Sequence, residues 1–316
     1  MNDSSTTRVV CVGLGAIGQA ALEECLRRDD IEVVGAVDPA RGGEDFAGID
    51  VLGSIEELDE AIGDVAIVAT GSDVGRVAAD AARLTEFGLH VVSSCEGLVY
   101  PWLHHAGAAT QLDEAARGNE RVVVGTGVNP GFVMDALPVM ALSVCISPRA
   151  LTVSRNVDLD RRRPQLPAKL GVGATESDWH RQAEAGGLGH AGLEESAALC
   201  AIGAGWRVED VRFERSPLGE DGRVVGIREV ASVDAGEGRS VRLELVFRLG
   251  GEDVDRVDVE GEAGIAVTLQ GVHGDRATVA RLVQAATVVA SVPAGLRLPI
   301  ELPAWSGNPA RVAARA

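Results

Sequence analysis

The chain has almost no lysine. Of its 29 Lys and Arg residues, Lys169 alone is a lysine, so a mechanism built on a Schiff-base or proton-transferring lysine has a single candidate. Positive charge is scarce against 47 Asp and Glu, and the formal charge of −18 argues against non-specific nucleic-acid binding and against an acidic membrane surface. The five cysteines, Cys11, Cys25, Cys95, Cys145 and Cys200, are scattered and form no Cys-x-x-Cys pair, which excludes a disulfide framework and a thiolate metal site. No His/Cys cluster stands at metal-ligand spacing, so no metal is expected. No apolar run approaches the ~20 residues that span a bilayer, and MNDSSTT has neither a basic nor an apolar leader segment. The protein is expected to be soluble, untargeted and cytoplasmic, without nucleic-acid or membrane partners.

What is present is enough apolar material, 46% of 316 residues, to bury a core across two domains. From Arg8 to Asp38 an apolar run, a glycine turn, a helix-period segment and a second apolar run form a βαβ unit. Further apolar runs at 65–71, 89–95 and 121–127 alternate with Ala-rich helical stretches, the texture of a parallel sheet covered on both faces. After Asn129 come an arginine-rich loop at 161–164 and alternating strands at 241–249 and 254–271, which imply a sheet with one wet face. A helical pattern resumes at Asp275 and stops at Pro293. The expected fold is α/β: a doubly wound parallel sheet of Rossmann type over 1–130, a second α+β substrate domain over 131–274, and a C-terminal helix and tail, 275–316, returning to the first domain.

Gly13-x-Gly15-x-x-Gly18 follows the first strand and opens a helix, and Asp38 follows Gly18 by twenty residues at the end of the second strand. Gly13 allows the tight turn, Gly15 lets backbone approach a pyrophosphate, and Gly18 permits close helix–strand packing; Ala16 and Ile17 supply helix N-terminal amides. Asp38 suits adenosine ribose hydroxyls and repels a 2′-phosphate, favouring NAD. Arg41 opens the alternative of NADP, unless it is a solvated loop arginine. Thr70, Gly71 and Ser72 end a further strand where nicotinamide ribose contacts fall in this fold, although such residues also make turns.

Reacting groups in such folds lie beyond the carboxyl ends of the strands. LHVVSSCEGLVYP puts Glu96 there, as a proton-transfer carboxylate or as a loop or N-cap glutamate. GTGVNPGFVMDALP forms a tight loop at Asn129-Pro130-Gly131, with Asn129 toward the cofactor; Phe132, Met134 and Leu137 line an apolar pocket or pack a core. Arg155 and the Arg161–Arg163 run offer forks for a substrate carboxylate, or else solvated pairs. His190 and His273 are candidate substrate contacts or ordinary loop histidines. His104 and His105, after Trp102 on an expected helix, read as structural.

These motifs, SSCEGLVYP, GTGVNPGFVMDALP, SRN…RRRPQLPAKLGVG, GLGHAGLEES and GVHGDRATVARLV with VPAGL, resemble the 2,4-diaminopentanoate dehydrogenases and related native amine dehydrogenases, over nearly the whole chain. The resemblance implies a dihydrodipicolinate-reductase-like architecture whose second domain also dimerises, in a homodimer. It implies NAD(P)-dependent oxidative deamination of a primary amine to a carbonyl compound and ammonia, or the reverse, with Glu96 as the acidic catalytic residue. Its partners would be amine, carbonyl and ammonia. Other readings are a dihydrodipicolinate-reductase-like or a homoserine- or aspartate-type dehydrogenase, and a non-catalytic NAD-sensing protein. The first lacks its expected histidine pair followed by lysine.

Overall fold

The computed structural model describes residues 6–59 and 62–304. The chain divides into two compact units, one of Met1–Phe132 with Gly274–Ala316 and one of Val133–His273. The tail expected beyond residue 304 lies outside the described residues.

In the first segment, β1 (Thr7–Val12), α1 (Ala16–Leu26), β2 (Ile31–Val37), β3 (Asp45–Phe46), β4 (Ile49–Leu52), β5 (Val65–Val68), α2 (Val74–Glu86), β6 (His90–Ser93), α3 (Ala106–Gly118) and β7 (Val122–Gly125) alternate as the apolar runs imply. The second unit holds α4 (Ala136–Leu142), β8 (Ile146–Asp158), α5 (Gln165–Lys169), α6 (Glu176–Glu184), α7 (Leu193–Gly203), β9 (Asp210–Glu220), β10 (Arg223–Asp234), β11 (Ser240–Arg248), β12 (Val254–Glu262) and β13 (Ile265–Gln270). The chain then re-enters the first unit with α8 (Gly274–Val288) and β14 (Gly295–Arg297).

The first sheet runs β14-β7-β6-β5-β1-β2-β4-β3 and is parallel apart from the β3–β4 ribbon. Strand order reverses between β1 and its neighbours β5 and β2, the switch point at which doubly wound sheets open a crevice. Both faces are covered, which is why its strands are continuously apolar. Val9, Cys11, Val65, Ile67, Val92 and Val124 pack under α1 and α8, with Leu22, Leu282 and Val283 among the buried residues. Val10, Val12, Ala66, Val68, Val91 and Val123 pack under α2 and α3, with Val77, Leu84 and Leu112. α8 therefore completes a core that the first 130 residues leave open on one face.

The second sheet, β13-β12-β8-β11-β10-β9, is mixed: β8 and β11 are parallel and the other neighbours antiparallel. Its strands alternate. Leu151, Val153, Leu243, Leu245, Ile227 and Ala231 are buried, whereas Thr152, Ser154, Glu244 and Arg248 keep partial exposure. α7 packs on β9, β10 and β11, and α4 on β8 and β12. Among the described residues no helix is long and apolar enough to cross a membrane, and no group of three or more His, Cys, Asp or Glu could hold a metal ion.

His104 and His105 are not on a helix as expected: they belong to the turn after Trp102, and His105 stands at the N-cap of α3. The Pro101 carbonyl, which accepts the His105 amide at 2.8 Å, holds that turn closed.

The last residue of β7 decides where the segment after β6 can sit. A Cβ on Gly125 would lie 2.5 Å from the carbonyl carbon of Leu98 and 2.6 Å from its Cβ, so the 3-10 turn Glu96–Val99 rests directly on glycine backbone. Gly125→Ala is expected to cost about 1–3 kcal/mol through overpacking, read as a lower urea midpoint with unchanged slope; a wild-type midpoint would show that the turn can move without loss.

Candidate functional site

The carboxyl ends of β1, β2 and β5 converge on the glycine turn. Gly13 has φ +85°, donates its N–H to the Val37 carbonyl at 2.8 Å, and leaves no room for a side chain, since a Cβ would fall 2.8 Å from the Ala69 carbonyl oxygen. A Cβ on Gly18 would lie 1.7 Å from the Gly13 carbonyl oxygen, so α1 approaches the turn as closely as backbone allows. Gly15, at the N-cap of α1, faces open space: nothing lies within 4 Å of where its Cβ would be. No side chain caps this helix and its first turn carries no acid, so the amides over Ala16, Ile17 and Gly18 are left for an anion.

Asp38 closes one side of this cradle. Its Oδ2 accepts the Leu14 amide at 2.6 Å and its Oδ1 the Ala40 amide at 2.9 Å, which fixes the carboxylate beside the turn. Arg41 stands beside this cradle: its Nε donates to Glu44 Oε2 at 2.9 Å, its Nη1 lies 3.5 Å from Gln19 Oε1 on α1, and its guanidinium lies 5.4 Å from the Phe46 ring. Past β5, Thr70 Oγ1 is buried without a hydrogen-bond partner and Gly71 has φ +150°. Past β7, Asn129 Oδ1 is likewise buried and unpartnered. Open backbone, a fixed carboxylate and two orphaned oxygens, past the carboxyl ends of β5 and β7 on either side of β6, are what a dinucleotide's phosphates, ribose and nicotinamide ribose require.

Glu96 begins the 3-10 turn three residues after β6 and is partly exposed. Its neighbour Cys95 is 1% exposed; burial first, and the Glu96 charge second, push that thiol up to about 12. The 126–131 loop stands on the same strand ends: the Thr126 amide donates to the Ser93 carbonyl at 2.8 Å, the Asn129–Pro130 bond is cis, and a Cβ on Gly131 (φ +118°) would lie 2.2 Å from the Gly127 nitrogen. Thr278 on α8 secures the loop by accepting the Val128 amide at 3.3 Å, and the Arg281 guanidinium lies 5.5 Å over the Phe132 ring. Sequence reasoning missed both residues, although GVHGDRATVARLV contains them. Thr278 is 150 positions from its partner, and no local pattern reports such a contact.

In the second unit the structure corrects several expectations. Arg155 does not offer a fork to substrate: its side chain is 3% exposed and Nη1 bridges both oxygens of Asp255, at 2.8 and 2.9 Å. The cause is register, since Asp255 on β12 stands directly opposite Arg155 on the buried face. Arg162 is likewise buried against Asp253, and Arg161 approaches Asp158 and Asp253 at 3.8 Å each. Met134 is 0% exposed and lines no accessible pocket; it belongs to the core, which explains its apolar character. Phe132 keeps partial exposure, as does His190, while His273 is exposed at the residue before α8.

The profile of the 2,4-diaminopentanoate dehydrogenase C-terminal domain matches residues 132–313, more than half of the chain, and that of a CoA binding domain matches residues 4–91. A curated 2,4-diaminopentanoate dehydrogenase of Acetoanaerobium sticklandii is 27% identical over 218 residues, 64% of this chain and 61% of that protein. The match thus spans less than two thirds of that relative's length. In fold, the chain is similar to the amine dehydrogenase from Mycobacterium smegmatis, with a TM-score of 0.84 and 19% identity over 98% of this chain and 99% of that one. It is also similar to the C. glutamicum DAP dehydrogenase in complex with DAP, with a TM-score of 0.56 and 15% identity over 98% and 99%.

Cys95 tests the environment of the strand end on which Glu96 stands. Its raised pKa keeps it a neutral thiol at about pH 8, so iodoacetamide is expected to leave it unlabelled in the folded protein and to label it in urea; fast labelling before unfolding would contradict the buried setting.

Proposed function

The chain belongs to the family defined by the 2,4-diaminopentanoate dehydrogenase C-terminal domain, and from that membership we propose that it is an NAD(P)-dependent amine dehydrogenase, with NAD as the favoured cofactor. The reaction is oxidative deamination of a primary amine, 2,4-diaminopentanoate or a simple alkyl amine, to a carbonyl compound and ammonia, together with its reverse. The observation that carries the reading is the match over 132–313, joined in one chain to a dinucleotide cradle. Under this reading the protein works in the cytoplasm as a homodimer, its partners being amine, carbonyl compound and ammonia rather than nucleic acid or a membrane.

Gly13, Gly15, Ala16, Ile17 and Gly18 hold the pyrophosphate, and Asp38 holds the adenosine ribose. Thr70, Gly71, Ser72 and Asn129 meet the nicotinamide ribose, where two buried oxygens await donors. The nicotinamide supplies the hydride in amination and accepts it in deamination. Glu96 is the proton-transfer carboxylate. In the aminating direction it takes a proton from ammonium, frees the amine to attack the carbonyl carbon, and returns a proton to the hydroxyl that leaves the carbinolamine as water. Its negative charge then stabilises the iminium cation at the carbon that is reduced. One carboxylate serves both transfers because the proton it gains in the first is the one it gives in the second, and no lysine is needed.

Ammonium-dependent oxidation of NADH or NADPH, measured across 2-amino-4-oxopentanoate, aldehydes and ketones, tests the reading. Turnover without ammonium would point to a different dehydrogenase, and tight NADH binding with no turnover on any carbonyl would point to a sensor. Glu96→Gln is expected to retain NADH affinity and lose on the order of 10²–10⁴ in kcat; wild-type amination rates would remove Glu96 from the mechanism. Asp38→Ala is expected to narrow the preference for NAD over NADP, and an unchanged ratio of the two kcat/KM values would remove Asp38 from cofactor selection.

A further inference from the structure

The turn that follows β2 carries charge of mostly one sign. Residues 38–46 hold three acids, Asp38, Glu44 and Asp45, against one cation, Arg41. Backbone hydrogen bonds pin the turn: the Arg41 N–H donates to the Asp38 carbonyl at 3.0 Å, the Glu44 N–H to the Arg41 carbonyl at 3.0 Å, and the Val51 N–H of β4 to the Glu44 carbonyl at 2.9 Å. A Cβ on Gly42 would lie 2.8 Å from Gly53 Cα, so the turn is pressed against the chain leaving β4. Side chains then converge on Arg41. Its Nε donates to Glu44 Oε2 at 2.9 Å, the Phe46 ring lies 5.4 Å from its guanidinium, and its Nη1 is 3.5 Å from Oε1 of Gln19, whose own amide donates to Glu23 Oε1 at 3.0 Å. Gln19 stands one turn into α1, its backbone N–H donating to the Gly15 carbonyl at 2.9 Å. Arg41 therefore links the turn that holds Asp38 to the helix whose first amides face the open space at Gly15.

NADP differs from NAD only by a phosphate on the adenosine 2′-hydroxyl, the group that a carboxylate at the end of the second strand meets. Asp38 alone is a weak barrier to that phosphate: both of its oxygens already accept backbone N–H groups, from Leu14 and Ala40, which offset part of its charge. An arginine three residues further on is a natural receptor for it. The Arg41–Glu44 pair, with 28% and 51% of the two side chains exposed, adds little stability. Its consequence is electrostatic, because it leaves no net positive charge at this edge of the cradle. We propose that Glu44 is a specificity-determining residue of the cofactor site: its carboxylate cancels the charge of Arg41, so that Glu44 and Asp38 together disfavour a 2′-phosphate, and Arg41 receives that phosphate once Glu44 is neutral. The proposal rests on the reading that the glycine turn and Asp38 hold a dinucleotide, and every residue it uses lies between β1 and β4 of the first unit.

The test is the affinity of the full chain for NADH and for NADPH, read from the fluorescence of the bound dihydronicotinamide, which requires no turnover. Glu44→Gln is expected to tighten NADPH binding about fivefold or more, to leave NADH within about twofold, and to lose its gain as salt is raised. Glu44→Ser, a second neutral variant, should behave alike and keeps the test alive if glutamine disturbs the turn. Glu44→Asp keeps the charge and should keep the wild-type ratio of the two Kd values. In an Arg41→Met background the Glu44→Gln change should give little or no gain, because the phosphate has lost its receptor. An unchanged NADPH affinity in the neutral variants, an equal gain with and without Arg41, or an equal loss of both cofactors, which a merely structural turn would give, would overturn the proposal. A wild type that binds neither NADH nor NADPH would sink the dinucleotide reading and the proposal with it, whereas NADH binding that ignores Glu44, with NADPH equally indifferent, sinks the proposal alone. Absence of ammonium-dependent turnover bears on the amine reading only, and the binding comparison still decides the role of Glu44.

Discussion

Much of the first unit depends on how closely α1 can approach β1. With a Cβ at position 18 only 1.7 Å from the Gly13 carbonyl, any side chain there would push the helix off the sheet. The consequence reaches beyond the turn. If α1 moved, its first-turn amides would no longer face the space that Gly15 leaves open, and Asp38 would lose the Leu14 amide that fixes its carboxylate. Two glycines with no room around them thus create the room around the third.

The second half of the site is built by the same means at the next strand ends. Gly125 lies under Leu98, so the turn carrying Glu96 is seated on β7, and Gly131 folds the 126–131 loop back on Gly127. Thr278, arriving on α8 after the whole second unit has intervened, closes that loop. The last helix therefore does two jobs in the first unit: it covers one sheet face through Leu282 and Val283, and it secures a loop of the candidate site.

In the second unit several arginines are already taken, two of them, Arg155 and Arg162, from the stretches that looked available for a ligand. Arg155, Arg162 and Arg215 are each matched to a carboxylate, and two of these pairs sit on a sheet face that is otherwise hydrophobic. An arginine in the sequence offers five donors; whether any remains for a ligand depends on what stands across the strand. Asp255 opposite Arg155 and Glu229 opposite Arg215 are consequences of register, which no spacing within one strand reveals.

The sequence by itself determined the doubly wound half and its cofactor turn. Period, glycine placement and the twenty-residue step to Asp38 are local patterns, and each has a backbone cause that acts within one βαβ unit. It likewise placed Glu96 just past a strand end, because an apolar run followed by Ser-Ser-Cys-Glu has few other outcomes in a parallel sheet. Only the tertiary structure decided that Met134 is core, that Arg41 and Arg155 are already paired, and that Thr278 holds a loop it never adjoins in the chain. The reason is range: a side chain's identity states what it can bond, but its partner is chosen by strand register and by segments that meet only after the whole chain has folded.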